Sequence, residues 1–188
     1  MLVTNFTPFP TLKTNRLLLR DIELADAEHV LSVRSDPQMM QYIGRPLMTG
    51  RDEANAWVEV IKSNQAANES INWMITEHAD NEAIGNICLW RIEKHNYRAE
   101  IGYMLAASHQ GKGLMQEAIA AVIAYGFNDM GLHSIEANVD PDNQASIKLL
   151  ERNGFVREAY YRENHYFDGK FLDSAVYSLV VTNYTSPY

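Results

Sequence analysis

The segment that most constrains the fold lies in the middle of the chain, where two strand-like runs flank one long helix. Residues 98–105 and 134–139 have the apolar content of strands, and a glycine-containing loop follows the first of them. Apolar residues then recur at helical spacing until Gly131 ends the helix: Ile119, Val122, Ile123, Phe127 and Met130. Two strands joined through a helix can lie parallel, whereas a tight hairpin joins antiparallel strands. The unit therefore predicts one parallel pair inside a sheet.

The elements on either side of this unit predict mostly antiparallel strands. Turn residues at Asp80-Asn81 and His95-Asn96 separate three strand-like runs, which is typical of a meander. The strands that we predict cover residues 16–22, 71–76, 83–93, 98–105, 134–139, 156–165 and 170–181. This order predicts an α/β fold with a mixed, mostly antiparallel central sheet.

About four helices should flank the sheet. We predict one at residues 25–35, ended by Pro37, and one at 143–153, closed by Gly154. Another should begin with a capping box of Thr49 and Asp52. One stripe of that helix is apolar: Ala54, Trp57, Val58 and Ile61.

Length and composition narrow the class of protein. The chain has 188 residues and is 46% hydrophobic, which fits a single domain over residues 1–188. It contains no apolar run of about 20 residues and no signal peptide, and Cys88 is its only cysteine, so we expect a cytoplasmic protein and no membrane contact. A net charge of −8 argues against nucleic-acid binding. The same charge suits either a cationic acceptor or plain solubility.

The loop His109-Gln110-Gly111-Lys112-Gly113 has the composition of a phosphate cradle. It leads from a strand into a helix whose first N–H groups have no partner within the helix and carry partial positive charge. The glycines allow close approach, and Lys112 adds a cation, which suits a pyrophosphate. The alternative is a strand-to-helix turn that merely needs glycine. The patterns of P-loops and of dinucleotide-binding folds are both missing.

These residues resemble the GNAT superfamily of N-acetyltransferases, and within it the ribosomal-protein (RimJ/RimL-like) branch. The family's loop reads Gln/Arg-x-x-Gly-x-Gly/Ala, and residues 110–115 match it except at Met115, where the family has a small residue. A second match runs from Asn138 through Asn143 and Ser146 to Gly154-Phe155. With the opening segment 14–20, the resemblance covers about residues 11–181.

The resemblance implies a GNAT-like fold and acetyl-coenzyme A as the co-substrate. The strand before the loop should splay from its parallel neighbour at a bulge, where backbone groups of Tyr103, Met104 and Leu105 would bind pantetheine and polarise the thioester carbonyl. The pyrophosphate cradle would be Gln110, Gly111, Lys112, Gly113, Leu114, Met115 and Gln116. The second motif would add Asn138, Asn143 and Ser146 to the cofactor site. Asn143 has the alternative role of a helix N-cap.

Glu100 is our candidate for the general base. It alternates with Gly102 and Met104 along a mostly apolar strand, so its face should be partly buried, and burial raises the pKa of a carboxyl group. Some family members place a catalytic glutamate at this position. The alternative is a solvated glutamate on a half-exposed sheet.

Ser146 is the candidate to protonate or hydrogen-bond the leaving thiolate, as proposed for the branch that the chain resembles. Other family members use a glutamate or a tyrosine where this chain has Asn138 and Leu150. A serine on a helix can instead bond to its own backbone.

The remaining polar and aromatic residues give weaker signals. The six histidines lack metal-ligand spacing, so no metal is expected. Glu158 and His165 should lie at the surface unless they contact substrate. Trp57 should be in the core. The last group either lines an acceptor pocket or packs in the core: Tyr42, Trp73 and Trp90.

The function that we predict is direct transfer of acetyl from acetyl-coenzyme A to a primary amine, without a covalent enzyme intermediate, by a monomer or homodimer. The acceptor would be a protein N-terminus or a small amine such as a polyamine, an amino acid or an antibiotic. A coenzyme A-binding module without catalysis is the second reading, favoured by Leu150 and opposed by Glu100. An unrelated nucleotide-phosphate binder is the third, and it would make the second motif a coincidence.

Overall fold

The computed structural model describes residues 1–78 and 80–185, which form one eight-stranded sheet with helices on both faces. The strands are β1 (Leu12–Lys13), β2 (Leu17–Arg20), β3 (Ile71–Glu77), β4 (Ala83–Glu93), β5 (Arg98–Leu105), β6 (Ser134–Val139), β7 (Val156–Phe167) and β8 (Lys170–Val180). The helices are α1 (Ala27–Arg34), α2 (Pro37–Met40), α3 (Arg51–Ala66), α4 (Leu114–Asn128) and α5 (Gln144–Arg152).

The sheet order is β1-β2-β3-β4-β5-β6-β8-β7, and every neighbouring pair is antiparallel except β5–β6. The mixed sheet and its one parallel pair are thus confirmed. The bounds of β4, β5 and β6 are those predicted, because alternating apolar residues and clear turn residues fix them locally.

Two predicted helix ends are wrong. Pro37 does not end the first helix, which already ends at Arg34; it is the first residue of α2, where a missing N–H costs nothing. The predicted capping box of Thr49 with Asp52 does not form, because Gly50 is the N-cap of α3. Thr49 lies one residue earlier, and its hydroxyl donates to Glu53 at 2.7 Å instead.

The larger core lies between the sheet and helices α4 and α5. Trp73 of β3 is fully buried there, and its ring Nε1 donates to the carbonyl of Pro10 at 2.7 Å. Trp73 is therefore a core residue, and its interpretation as a pocket residue is wrong. The next residue, Met74, faces a second, smaller core under α1 and α3. The two faces of the sheet are thus both covered, each by its own pair of helices.

Candidate active site

The sheet opens between its two parallel strands. Only Arg98, Ala99 and Glu100 of β5 pair with β6, although β5 continues to Leu105 and stays paired with β4. From residue 101 onward, no strand in the described part of the chain pairs with the edge of β5 that faces β6. An open edge of this kind can bind an extended ligand through main-chain hydrogen bonds.

The bulge that the resemblance implied lies elsewhere. The register of β4 against β5 shifts between Trp90 and Glu93, at the closed end of the strand pair and not at the opening. Arg91 has a φ of +47° within this bulge. A bulge re-aims a side chain, and here Arg91 Nη1 reaches Glu100 Oε2 at 2.9 Å.

The glycine loop follows the open end of β5 and has the backbone of a cradle. Gly111 and Gly113 have φ values of +73° and +75°, in the left-handed region that favours glycine. Gly113 is the N-cap of α4 and provides no side-chain cap for its N–H groups. A Cβ on Gly111 would meet no atom within 4 Å. The loop therefore has both the space and the N–H donors that a pyrophosphate needs.

Arg16 is a residue at this loop that the sequence analysis did not single out. Its Nη1 donates to the carbonyl of Lys112 at 3.0 Å, and its Nε pairs with Glu117 of α4 at 2.8 Å. The hydroxyl of Thr14 also donates to Glu117. These contacts join the start of the chain to the loop, with the charge of Arg16 balanced by Glu117.

The side chains around the loop divide between the cradle and the core. Leu114 is buried, and Met115 packs partly buried against the same core, so the departure from the family pattern at Met115 adds no side chain to the cradle. Gln116 Nε2 donates at 2.8 Å to Asn153, the C-cap residue of α5. Gln110 Nε2 donates at 2.8 Å to the carbonyl of Leu105, and so closes the loop onto β5.

The second motif meets β5 across the opening. The hydroxyls of Tyr103 and Ser146 are hydrogen-bonded at 2.8 Å, and burial raises the pKa of Tyr103 to about 12. Asn143 is the N-cap of α5, since its Oδ1 accepts from the N–H of Ser146 at 3.1 Å. The exposed side chain of Asn138 lies on the opposite face of β6 from the buried Ala137 and Val139. Asn138 therefore does not meet Ser146 on the α5 side.

Glu100 is buried on that opposite face, toward α1 and α3. Only 8% of the residue is exposed, so the alternative of a solvated glutamate is wrong. Burial raises the pKa of its carboxyl group, and the charge and hydrogen bond of Arg91 offset part of that rise. A carboxylate held in this way can accept a proton at a pH closer to neutral than an ordinary glutamate.

The surroundings of Glu100 are polar for a covered sheet face. Cys88 lies beside Gly102 of β5, and burial raises the pKa of its thiol to about 12, so it is not an activated nucleophile. Asn72 is 2% exposed, and its Oδ1 has no hydrogen-bond partner. Trp90 lies opposite Glu100, half-buried, with Arg91 stacked 4.3 Å from its ring. Native proteins rarely leave a buried amide oxygen such as Asn72 Oδ1 without a hydrogen-bond partner.

The other candidates lie farther out. Trp57 packs against the smaller core, and Tyr42 is exposed. His165 is exposed and contacts the carbonyl of Gly44 at 3.2 Å, while exposed Glu158 accepts from Ser178. Within residues 1–78 and 80–185, no group of three or more His, Cys, Asp or Glu side chains could hold a metal ion. No helix in that part of the chain is long and apolar enough to cross a membrane.

The chain has relatives among named acetyltransferases. It is 35% identical over 174 residues to p20 of Bacillus licheniformis, an uncharacterized N-acetyltransferase, covering 93% of this chain and 98% of p20. It is 26% identical to the ribosomal protein uS5-alanine N-acetyltransferase of Escherichia coli K12, covering 95% and 94% of the two chains.

Solved structures share the fold. A GNAT-family acetyltransferase from Bacillus anthracis is 28% identical, with a TM-score of 0.81 over 91% of this chain and 98% of that chain. Spermidine N-acetyltransferase from Vibrio cholerae, in complex with CoA and spermine, is 25% identical, with a TM-score of 0.80 over 89% and 97%. The model of the acetyltransferase (GNAT) domain matches residues 16–156. The open β5 edge, the glycine loop and these matches together show that the chain belongs to the GNAT family of acetyltransferases.

Proposed function

We propose that the protein transfers an acetyl group from acetyl-coenzyme A to a primary amine by direct attack. The observation that carries the proposal is the parting of β5 and β6 directly after Glu100. At this opening, the free edge of β5 that would bind the cofactor lies next to the carboxylate of Glu100. That carboxylate is buried on the side of the sheet that α1 and α3 cover. Acetyl-coenzyme A supplies the acetyl group as an activated thioester.

The glycine loop fits the pyrophosphate of coenzyme A. Gly111 leaves the space, the first N–H groups of α4 donate, and Lys112 contributes positive charge, whereas the charge of Arg16 is balanced by Glu117. The open backbone of residues 103–105 would hold the pantetheine arm, with Asn143 and Ser146 on the α5 side. Of Asn138, only the backbone on the open side of β6 would contribute.

Glu100 would accept a proton from the acceptor ammonium, which frees the neutral amine to attack the thioester carbonyl, or would accept the proton that the amine loses once the C–N bond forms. Its buried position keeps water away, and Arg91 holds the carboxylate in one orientation. Ser146 would hydrogen-bond the leaving sulfur, with its own hydroxyl oriented by Tyr103. Leu150, at the position of the family's usual tyrosine acid, is fully buried in the core and offers no alternative.

The acceptor that we propose is a protein N-terminus, as in the RimJ/RimL-like branch, or a small amine. The uS5-alanine enzyme and the spermidine enzyme are relatives with names of each kind. The pairing of Glu100 with Arg91 favours a second reading, a coenzyme A-binding module without catalysis, because the ion pair lowers the basicity of the carboxylate. We also propose that residues 1–188 form one acetyltransferase domain, which acts as a monomer or homodimer in the cytoplasm, where its one cysteine would stay reduced.

An acceptor screen tests the proposal. Purified protein is incubated with acetyl-coenzyme A and a panel of peptides, amino acids and polyamines, and free thiol is measured. We expect amine-dependent thiol release that Glu100→Gln slows by about 10²–10⁴-fold near neutral pH. Tight binding of acetyl-coenzyme A without thiol release for any amine would favour the binding module.

A further inference from the structure

A crevice between α1 and the sheet contains an arginine without an anionic partner. Val33 and Arg34 of α1 line it on one side, and Asn86 of β4 and Met104 of β5 on the other. Among residues 1–78 and 80–185, no carboxylate lies within 4.0 Å of Arg34 or of Arg45 in the loop after α2. By contrast, Arg16, Arg20 and Arg91 each form an ion pair.

The surroundings of Arg34 are unfavourable for a cation. Its guanidinium is half-buried and stacks 4.5 Å from the ring centroid of Trp57. Burial lowers the pKa of Arg34, Cys88 offsets part of that shift, and the charge of Arg45 adds to it. Two close cations without an anion, in a chain with a net charge of −8, form an arrangement that a bound anion would stabilise.

The crevice lies on the same face of the sheet as Glu100. Asn86 and Met104 are paired positions, and Met104 is four residues from Glu100 along β5, about 13 Å at the rise of a strand. Cys88 is close enough to Arg34 to affect the pKa of Arg34. It pairs with Gly102, which lies halfway between Met104 and Glu100 on β5. Gly102 has no side chain, so this stretch of the sheet face is lined by Cys88 and Trp90 of β4, whose Sγ and Nε1 would lie 3.3 and 3.7 Å from a Cβ at Gly102.

We propose that Arg34, assisted by Arg45, binds an anionic group of the acceptor while the amine of the same molecule reaches Glu100. The acceptor is then an amine that also carries a carboxylate or a phosphate, and not a polycation. This rests on the proposed acetyltransferase function and specifies its acceptor class. The planar guanidinium suits either anion because it donates two parallel hydrogen bonds.

Matched acceptor pairs test the proposal by kcat/KM. The first pair is tetra-alanine and its C-terminal amide, and the second is Ala-Ala-Ala-Ser amide with and without a phosphate on its serine. Each extended chain spans about 13 Å, and spermidine represents a polycation. We expect the anionic member of at least one pair to be preferred by about 10- to 100-fold, the contribution of a charge-assisted hydrogen bond. Which pair shows the preference identifies carboxylate or phosphate.

The preference should disappear in Arg34→Gln and weaken in Arg45→Gln. Because the side chain of Arg45 is exposed, its replacement should not disturb folding, and a weaker preference in Arg45→Gln would reflect lost anion binding. Arg51→Gln is the matched control, since Arg51 is exposed on α3 outside the crevice, and it should keep the preference. Equal use of both members of each pair, or a preference that survives in both arginine variants, would overturn the proposal. Turnover of spermidine above all anionic acceptors would do the same.

A binding measurement separates this proposal from the proposed function. With coenzyme A present, tetra-alanine or the serine-phosphorylated peptide amide should raise the melting temperature of the wild type, and not that of Arg34→Gln. If no amine is acetylated but this Arg34-dependent shift occurs, the enzyme assignment fails and the anion site stands. If amines are acetylated but no anionic probe shifts the melting temperature or gains a rate advantage, the anion site is wrong and the acetyltransferase remains.

Discussion

Replacing Gly111 with valine should weaken acetyl-coenzyme A binding far more than it weakens the fold. Gly169, in the turn between β7 and β8, provides the matched control. The two glycines have φ values of +73° and +77°, and a Cβ at either would meet no atom within 4 Å. Valine at either position therefore costs the same left-handed strain, roughly 1–2 kcal/mol, without a clash.

The expected magnitudes follow from mass action. Acetyl-coenzyme A at about 100 times its Kd adds about 2.7 kcal/mol to the free energy of unfolding. For a domain of this size, that raises the melting temperature by roughly 5–11 °C. A tenfold loss of affinity leaves about 1.4 kcal/mol of that gain, and a hundredfold loss leaves about 0.4 kcal/mol.

Thermal unfolding of the wild type, Gly111→Val and Gly169→Val, with and without acetyl-coenzyme A, measures both effects. Without the cofactor, both variants should melt below the wild type by similar amounts, because each adds the same backbone strain to the wild-type fold. With it, Gly169→Val should gain the full shift and Gly111→Val half of it or less. Equal ligand-induced shifts in the two variants would show that the pyrophosphate does not bind at this loop.

Three further predictions concern Glu100, Arg91 and Trp73. Glu100→Gln should lower kcat near neutral pH by about 10²–10⁴-fold in the thiol-release assay while the cofactor-induced melting shift stays the same; a change below about threefold excludes a general base. Because burial raises the pKa of Glu100 and Arg91 opposes that rise, kcat/KM should increase with pH through this pKa, and Arg91→Gln should move the rise to higher pH. If the rise of kcat/KM in Arg91→Gln occurs at the same pH as in the wild type, or at a lower pH, this prediction is wrong. Trp73→Ala should lower the free energy of unfolding by about 3–5 kcal/mol in urea titrations, because the ring is fully buried; a loss below about 1 kcal/mol would contradict its core role.

The sequence was most informative where local pattern and fold agree. Strands β4, β5 and β6 have alternating apolar residues and clear turns, so their bounds could be predicted from neighbouring residues alone. Strand β1 has two residues and exists because it pairs with β2, which no local pattern indicates. The start of α3 was misplaced by one residue, since both Asp52 and Glu53 are plausible capping partners for Thr49.

The candidate site shows the same division. The positive φ values of Gly111 and Gly113, and the burial of Glu100, follow from residue type and strand alternation. The contacts of Arg16 and Arg91 could not be predicted in this way. Arg16 meets Glu117 across about a hundred residues of chain, and Arg91 reaches Glu100 only because a bulge turns its backbone.

The most direct test of the account is the fate of the acetyl group itself. Isotope-labelled acetyl-coenzyme A is incubated with the protein and an accepted amine, and mass spectrometry follows the label while free thiol is measured in parallel. Direct transfer to the amine predicts that the label appears on the amine nitrogen in one-to-one ratio with released thiol, with no labelled protein intermediate. It also predicts that Glu100→Gln slows both together. Label found as free acetate, or on the protein during turnover, would contradict direct transfer to an amine.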